Sequence, residues 1–191
     1  MNQTIILASG SPRRKELLNQ IGISFTVNPS KKEEKITTNI PSEVVRELSY
    51  QKAMDIAEQS SEGSVVIGAD TVVAYEGKIL GKPKDRTDAQ NMLRMLAGNT
   101  HSVYTGVTII KKENNRCLEE IFYKETRVTM ARMSEEEIET YVDSKEPMDK
   151  AGSYAIQGKC AAFIEKIDGD YYNVVGLPIC EVYHRLKKYM E

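Results

Sequence analysis

The sequence predicts an α/β fold, and three observations carry that prediction. Strand-like and helix-like stretches alternate along the 191 residues. The short apolar run Ile5 to Ala8 passes through Ser9-Gly10 directly into a helix start at Ser11-Pro12. The run Val65 to Ala74 is apolar almost throughout, the pattern of a strand covered on both faces.

The elements follow in order. Ile5 to Ala8 reads as a strand. Ser11 caps a helix with Pro12 at its first position, and Gly22 stops it near Ile21. Ser24 to Val27 reads as a second strand. Residues 29–40 are polar and irregular around Lys31-Lys32-Glu33-Glu34-Lys35. Ser42 is expected to cap a helix to about Ser60, and Ser64 to Tyr75 is the strongest strand, closed by a hairpin turn at Glu76-Gly77-Lys78. Thr87-Asp88-Ala89-Gln90 reads as a capping box for a helix ending at Gly98. Ser102 to Lys111 and Glu119 to Met130 read as paired strands around a turn at Glu113-Asn114-Asn115. Ser134 with Glu137 is a second capping box, for a helix to about Ser144. Cys160 to Lys166 reads as a strand, Asp168-Gly169-Asp170 as a turn, and Pro178 to Tyr189 as a helix. No linker is evident; residues 98–146 are the expected extent of a smaller lobe within one domain.

Composition narrows the function. Lys plus Arg is 26 and Asp plus Glu is 28, a formal net charge of −2. That balance argues against a nucleic-acid polymer or an anionic membrane as partner, since either needs clustered excess cations. It leaves room for a small phosphate ligand. The three cysteines, Cys117, Cys160 and Cys180, have no metal-ligand spacing and read as free thiols in a reducing compartment. The two histidines, His101 and His184, read as structural. No apolar run reaches the ~18–20 residues of a membrane span, and the N-terminus has no basic leader, so a cytoplasmic location is expected. No G-x-x-x-x-G-K-[ST] loop and no G-x-S-x-G elbow occur. Asp168-Gly169-Asp170 matches half a calcium loop only, and Glu135-Glu136-Glu137 matches the dipole of a helix start.

Three places break local rules, which is where functional sites tend to lie. At Ser9-Gly10-Ser11-Pro12-Arg13-Arg14 a strand meets a helix N-terminus, a ready anion site. Two arginines in a first helical turn are locally unfavourable unless an anion offsets them; the alternative is a solvated helix start. Lys52 falls inside the apolar arc formed by Val44, Val45, Leu48 and Ile56, so it either snorkels to the rim or meets an anion. Asp70 stands in the middle of the apolar run, an expensive place for a carboxylate unless it is paired, metal-bound or functional. Cations for phosphates and a carboxylate for water or a divalent metal are the ingredients of phosphoryl chemistry.

With these residues in view, the whole chain resembles the Maf family of nucleoside triphosphate pyrophosphatases. The matching stretches run from Leu7 to Leu18, Val66 to Val73, Leu80 to Asp85, Lys145 to Gly158 and Ile167 to Pro178, in that order. The resemblance implies an elongated α/β protein with a mixed sheet and two lobes flanking a deep nucleotide-binding cleft. It implies hydrolysis of a nucleoside triphosphate to the monophosphate and pyrophosphate, with Mg²⁺ or Mn²⁺, often as a homodimer. The stretch Ala151-Gly152-Ser153-Tyr154-Ala155-Ile156-Gln157-Gly158 looks like the branch acting on dTTP and UTP. Carried over by motif, Asp70 is the proton acceptor, and Arg13, Thr71 and Gln157 set substrate choice. Ser9, Arg14, Glu33, Lys52 and Lys82 complete the site, with Lys52 and Lys82 neutralising phosphate charge. Glu33, or Glu34 in the other alignment, joins Asp70 on the metal side. Gln157 offers both a donor and an acceptor to the edge of a uracil or thymine ring. Two rival readings are a non-catalytic nucleotide-binding regulator of septum formation and a phosphatase releasing single phosphates.

Overall fold

β1 (Ile5–Leu7) is short and apolar, and Pro12 then starts α1 (Pro12–Gln20) with Ser11 in the extended N-cap position. In this computed structural model, which describes residues 4–114 and 116–189, β1 pairs in parallel with both β2 (Thr26–Val27) and β3 (Val65–Tyr75). The sheet order is β2-β1-β3-β5-β6-β7. The short β4 (Lys78–Leu80) pairs antiparallel with β3 across the Glu76-Gly77 turn, whose two residues both have positive φ. β5 (Thr100–Glu113) and β6 (Arg116–Met130) are neighbours, and β7 (Ile164–Asp168) runs antiparallel to β6 with an irregularity at Thr129/Met130. Parallel and antiparallel pairs together make this a mixed α/β sheet. Of the expected turn at 113–115, Asn114 adopts φ 54 and Asn115 lies outside the described residues.

The chain divides into two compact units: Met1–Asp70 with Thr105–Lys124 and Gly176–Glu191, and Thr71–Tyr104 with Glu125–Val175. In the first, α2 (Pro41–Gln59) lies on β3 and β5, burying Val44, Val45, Leu48, Ala53, Ile56 and Ala57. Two glycines admit it. A Cβ at Gly68 would sit 2.3 Å from the Ser49 carbonyl oxygen, and one at Gly106 would sit 2.2 Å from that of Val45. Any side chain at either position would push the helix off the sheet. α6 (Ile179–Lys187) completes this unit and buries Ile179, Val182 and Leu186.

The second unit packs α3 (Arg86–Leu96) and α4 (Glu135–Asp143) around a core that includes Leu93, Leu96, Val103, Val128, Ile138 and Tyr154. It also holds the short α5 (Tyr171–Val175), which opens after the Asp168-Gly169-Asp170 turn. His101 is buried here and bonds the Tyr154 hydroxyl through Nε2 at 2.7 Å, a structural role. Among the described residues, no helix is long and apolar enough to cross a membrane.

Several sequence expectations change. α2 starts at Pro41, with Ile40 as N-cap, because Pro41 is already fit for the first helical position; Ser42 lies inside the helix. Asp85, not Thr87, caps α3, accepting from the Asp88 N–H at 2.8 Å. The Ser134–Glu137 capping box forms as expected. The stretch from Cys160 is not a strand: Lys159–Phe163 is a 3₁₀ helix, and the strand begins at Ile164. Cys160 is wholly buried in the core of the second unit, and the 3₁₀ turns deliver it there.

Candidate active site

Asp70 occupies the centre of β3, two residues beyond the close approach at Gly68. The helix turn that touches Gly68, Ser49 to Ala53, carries Lys52, so the close contact of helix and strand is what brings the two charges together. Lys52 Nζ donates to Asp70 Oδ1, and the two side chains keep only 18% and 14% of their surface. The lysine in the apolar arc thus meets an anion. A second carboxylate reaches the same ammonium: Glu34 Oε1 lies 3.1 Å from Lys52 Nζ. Both Glu33 and Glu34 are exposed, and of the pair it is Glu34 whose carboxylate meets Lys52.

Arg14 is buried, and two of its bonds reach far along the chain, to Gly176 and Ala69. Nε donates to the Gly176 carbonyl at 2.7 Å, and one terminal nitrogen donates to Ser9 Oγ at 3.0 Å and the Ala69 carbonyl at 2.9 Å. Arg14 therefore ties the Ser9 turn to the β3 residue preceding Asp70. Burial pulls its pKa down and the charge of Asp70 opposes that pull; an arginine stays charged regardless. Ser9 Oγ also accepts from the Ser11 N–H at 3.3 Å, which organises the turn before α1. Arg13 is half-buried on the first turn of α1, and its charge is felt by Arg14.

The structure thus gathers Ser9, Arg14, Lys52, Asp70 and Glu34 within the first unit. Arg13 and Glu33 lie in the same unit, and Thr71, Lys82 and Gln157 belong to the second. Thr71 follows Asp70 on β3 and is half-buried. Lys82 and Gln157 are exposed. Their segments are joined, since Gly152 N–H donates to the Gly81 carbonyl at 3.0 Å. The Gln157 loop is held by a brace that sequence reasoning missed. Tyr141 Oη accepts from the Ala155 N–H at 3.1 Å and donates to Glu146 Oε1 at 2.9 Å, while Glu146 Oε2 accepts from the Lys159 N–H at 3.2 Å. Gly158 presses on that carboxylate, where a Cβ would lie 2.0 Å from Oε1. The glycine after Gln157 was the available signal, because glycine marks close backbone approach.

A strand carboxylate paired with a helix lysine beside a buried arginine is an arrangement suited to phosphate chemistry. The model of the family described as Maf-like protein matches residues 4–189. The chain belongs to the Maf-like protein family. A dTTP/UTP pyrophosphatase from Lachnoclostridium phytofermentans is 53% identical over 97% of this chain and 94% of its own length. One of the same name from Agathobacter rectalis is 56% identical over 96% of each. A HAM1 protein from Coxiella burnetii has the same fold, with a TM-score of 0.58, 15% identity, and 97% and 99% of the two chains covered.

In this Maf-like chain no cluster of three or more His, Cys, Asp or Glu side chains stands ready for a metal among the described residues. What it offers is two carboxylates, Glu34 and Asp70, converging on one ammonium. Two oxygen ligands suit Mg²⁺ or Mn²⁺, which complete their shell with substrate phosphates and water; the donor set fits such an ion.

Proposed function

We propose that this chain hydrolyses dTTP and UTP to the monophosphate and pyrophosphate, with Asp70 as the base. The observation that carries the proposal is the Asp70–Lys52 pair held beside Arg14, at the end of the buried stretch Val65 to Ala69 of β3. Lys52 engages Oδ1, and Oδ2 is the oxygen that takes the proton of the attacking water. A new bond forms between the water oxygen and the α-phosphorus, the bond from that phosphorus to the bridging oxygen breaks, and pyrophosphate leaves. Ser9 and Arg13 at the α1 N-terminus receive phosphate oxygens, Arg14 holds that turn against β3, and Lys52 and Lys82 offset charge as it moves to the leaving group. Thr71 and Gln157 read the sugar and base. A Mg²⁺ or Mn²⁺ held by Glu34 and Asp70 would supply charge neutralisation on the triphosphate. The same reading places the protein in the cytoplasm, in line with its three free cysteines, and allows a second copy as partner.

The test is hydrolysis of dTTP in ¹⁸O-labelled water with Mn²⁺. The expected result is one pyrophosphate per dTMP, with the label in dTMP. Release of orthophosphate, label in pyrophosphate, or binding without turnover would each contradict the proposal, the last in favour of a regulator.

A further inference from the structure

α2 carries four polar side chains spaced four residues apart, Glu43, Glu47, Gln51 and Asp55, which lie on one helix face. Each bonds the segment between Ser30 and Thr38. Thr38 Oγ1 donates to Glu43 at 2.7 Å, and Ser30 Oγ donates to Asp55 at 2.6 Å. The Thr37 N–H donates to Glu47 at 3.0 Å, and the Thr37 hydroxyl bonds the same carboxylate. Gln51 does most: its Oε1 accepts from the Lys35 N–H at 2.9 Å and its Nε2 donates to the Lys35 carbonyl at 2.6 Å. Both backbone groups of the residue beside Glu34 are thereby closed.

This segment has no helix or strand of its own, so its backbone polar groups depend on such partners. Apolar burial does little to hold it, since Ile36 is 59% exposed and Ile40 is 49% exposed. Gln51 precedes Lys52, so one helix turn presents the amide to Lys35 and the ammonium to Glu34 and Asp70. We propose that Gln51 is a positioning residue: by clasping the Lys35 backbone it fixes the Glu34 carboxylate at Lys52 and so sets the affinity of the site for the divalent ion accompanying a triphosphate. This inference rests on the site reading given above, with Glu34 as an ion ligand.

The experiment compares the wild type with Gln51→Met, Glu34→Gln and the double variant. Mn²⁺ binding is read by electron paramagnetic resonance with pyrophosphate present, and dTTP turnover is followed across Mn²⁺ concentrations. Two lost hydrogen bonds correspond to roughly tenfold weaker Mn²⁺ binding in Gln51→Met. In turnover the change falls on the half-saturating Mn²⁺ concentration, not on the rate at saturation. The double variant binds Mn²⁺ as weakly as Glu34→Gln and no more weakly, because Gln51 acts through Glu34. Hydrogen exchange in Gln51→Met shows lost protection at the Lys35 amide with the β3 amides unchanged. Wild-type Mn²⁺ affinity in Gln51→Met, full additivity in the double variant, or loss of β3 protection would each overturn the proposal. If the wild type releases no pyrophosphate from dTTP, the activity reading falls, while the Mn²⁺–pyrophosphate titration still decides on Gln51.

Discussion

Mild acid is expected to destabilise this protein through one histidine. His101 is 2% exposed, its Nε2 shares a hydrogen bond with Tyr154, and its Nδ1 has no protein partner. Burial pushes its pKa from 6.5 down to about 4. Below pH 6.5 the unfolded chain takes up a proton that the folded chain refuses. The contribution is complete above that pH, is lost as pH falls toward 4, and is flat below it. At about 1.4 kcal/mol per pH unit the whole interval amounts to about 3 kcal/mol, and about 2 kcal/mol of it is gone by pH 5. The partner-lowered carboxylates Glu47, Glu120, Glu135 and Glu181 titrate below their ordinary 4.5, outside the range between pH 7.5 and pH 5.0. The assay is urea unfolding followed by circular dichroism at pH 7.5 and pH 5.0, for the wild type and His101→Phe. The phenylalanine keeps the edge-on packing against Tyr154 but loses one hydrogen bond, costing about 1 kcal/mol at every pH. The wild type is expected to lose about 2 kcal/mol more than the variant between the two pH values, roughly 1 M in urea midpoint. Parallel losses in the two proteins would show that His101 is not the source of the acid sensitivity.

Two further outcomes follow from packing and capping. Gly68→Ala places a methyl group against the Ser49 carbonyl and must lift α2 from β3, costing about 1–3 kcal/mol by urea unfolding and lowering turnover by separating Lys52 from Asp70. A stable, fully active variant would show that this close approach does not position the pair. Asp85→Ala removes the α3 cap and is expected to lower stability by about 1 kcal/mol, read as a lower melting temperature, whereas Thr87→Ala leaves it nearly unchanged.

Charge set against an apolar pattern is what made the centre of the site legible. Asp70 inside a buried run and Lys52 inside a helix's apolar arc stand out in sequence, and the fold pairs them. The choice between Glu33 and Glu34 was not legible, because residues 29–40 have no periodicity and their course is set by hydrogen bonds to α2. Those bonds leave only a four-residue spacing of polar side chains, the usual look of a solvated helix face. Caps were legible where the first suitable side chain was also the right one, as at Ser134. They were misplaced at Ser42 and Thr87, where Pro41 and Asp85 had already started the helix. The strand expected from Cys160 failed because its apolar residues enter the core through a 3₁₀ turn, which a short apolar run does not distinguish from extended chain.

The claim that Asp70 activates the attacking water is tested most directly by the rate of dTTP hydrolysis in Asp70→Asn, with circular dichroism and urea unfolding verifying the fold. The amide matches the carboxylate in shape but cannot take the proton, so turnover is expected to fall by about 10²–10⁴-fold. Turnover within a few-fold of the wild type in a folded Asp70→Asn protein would contradict the account.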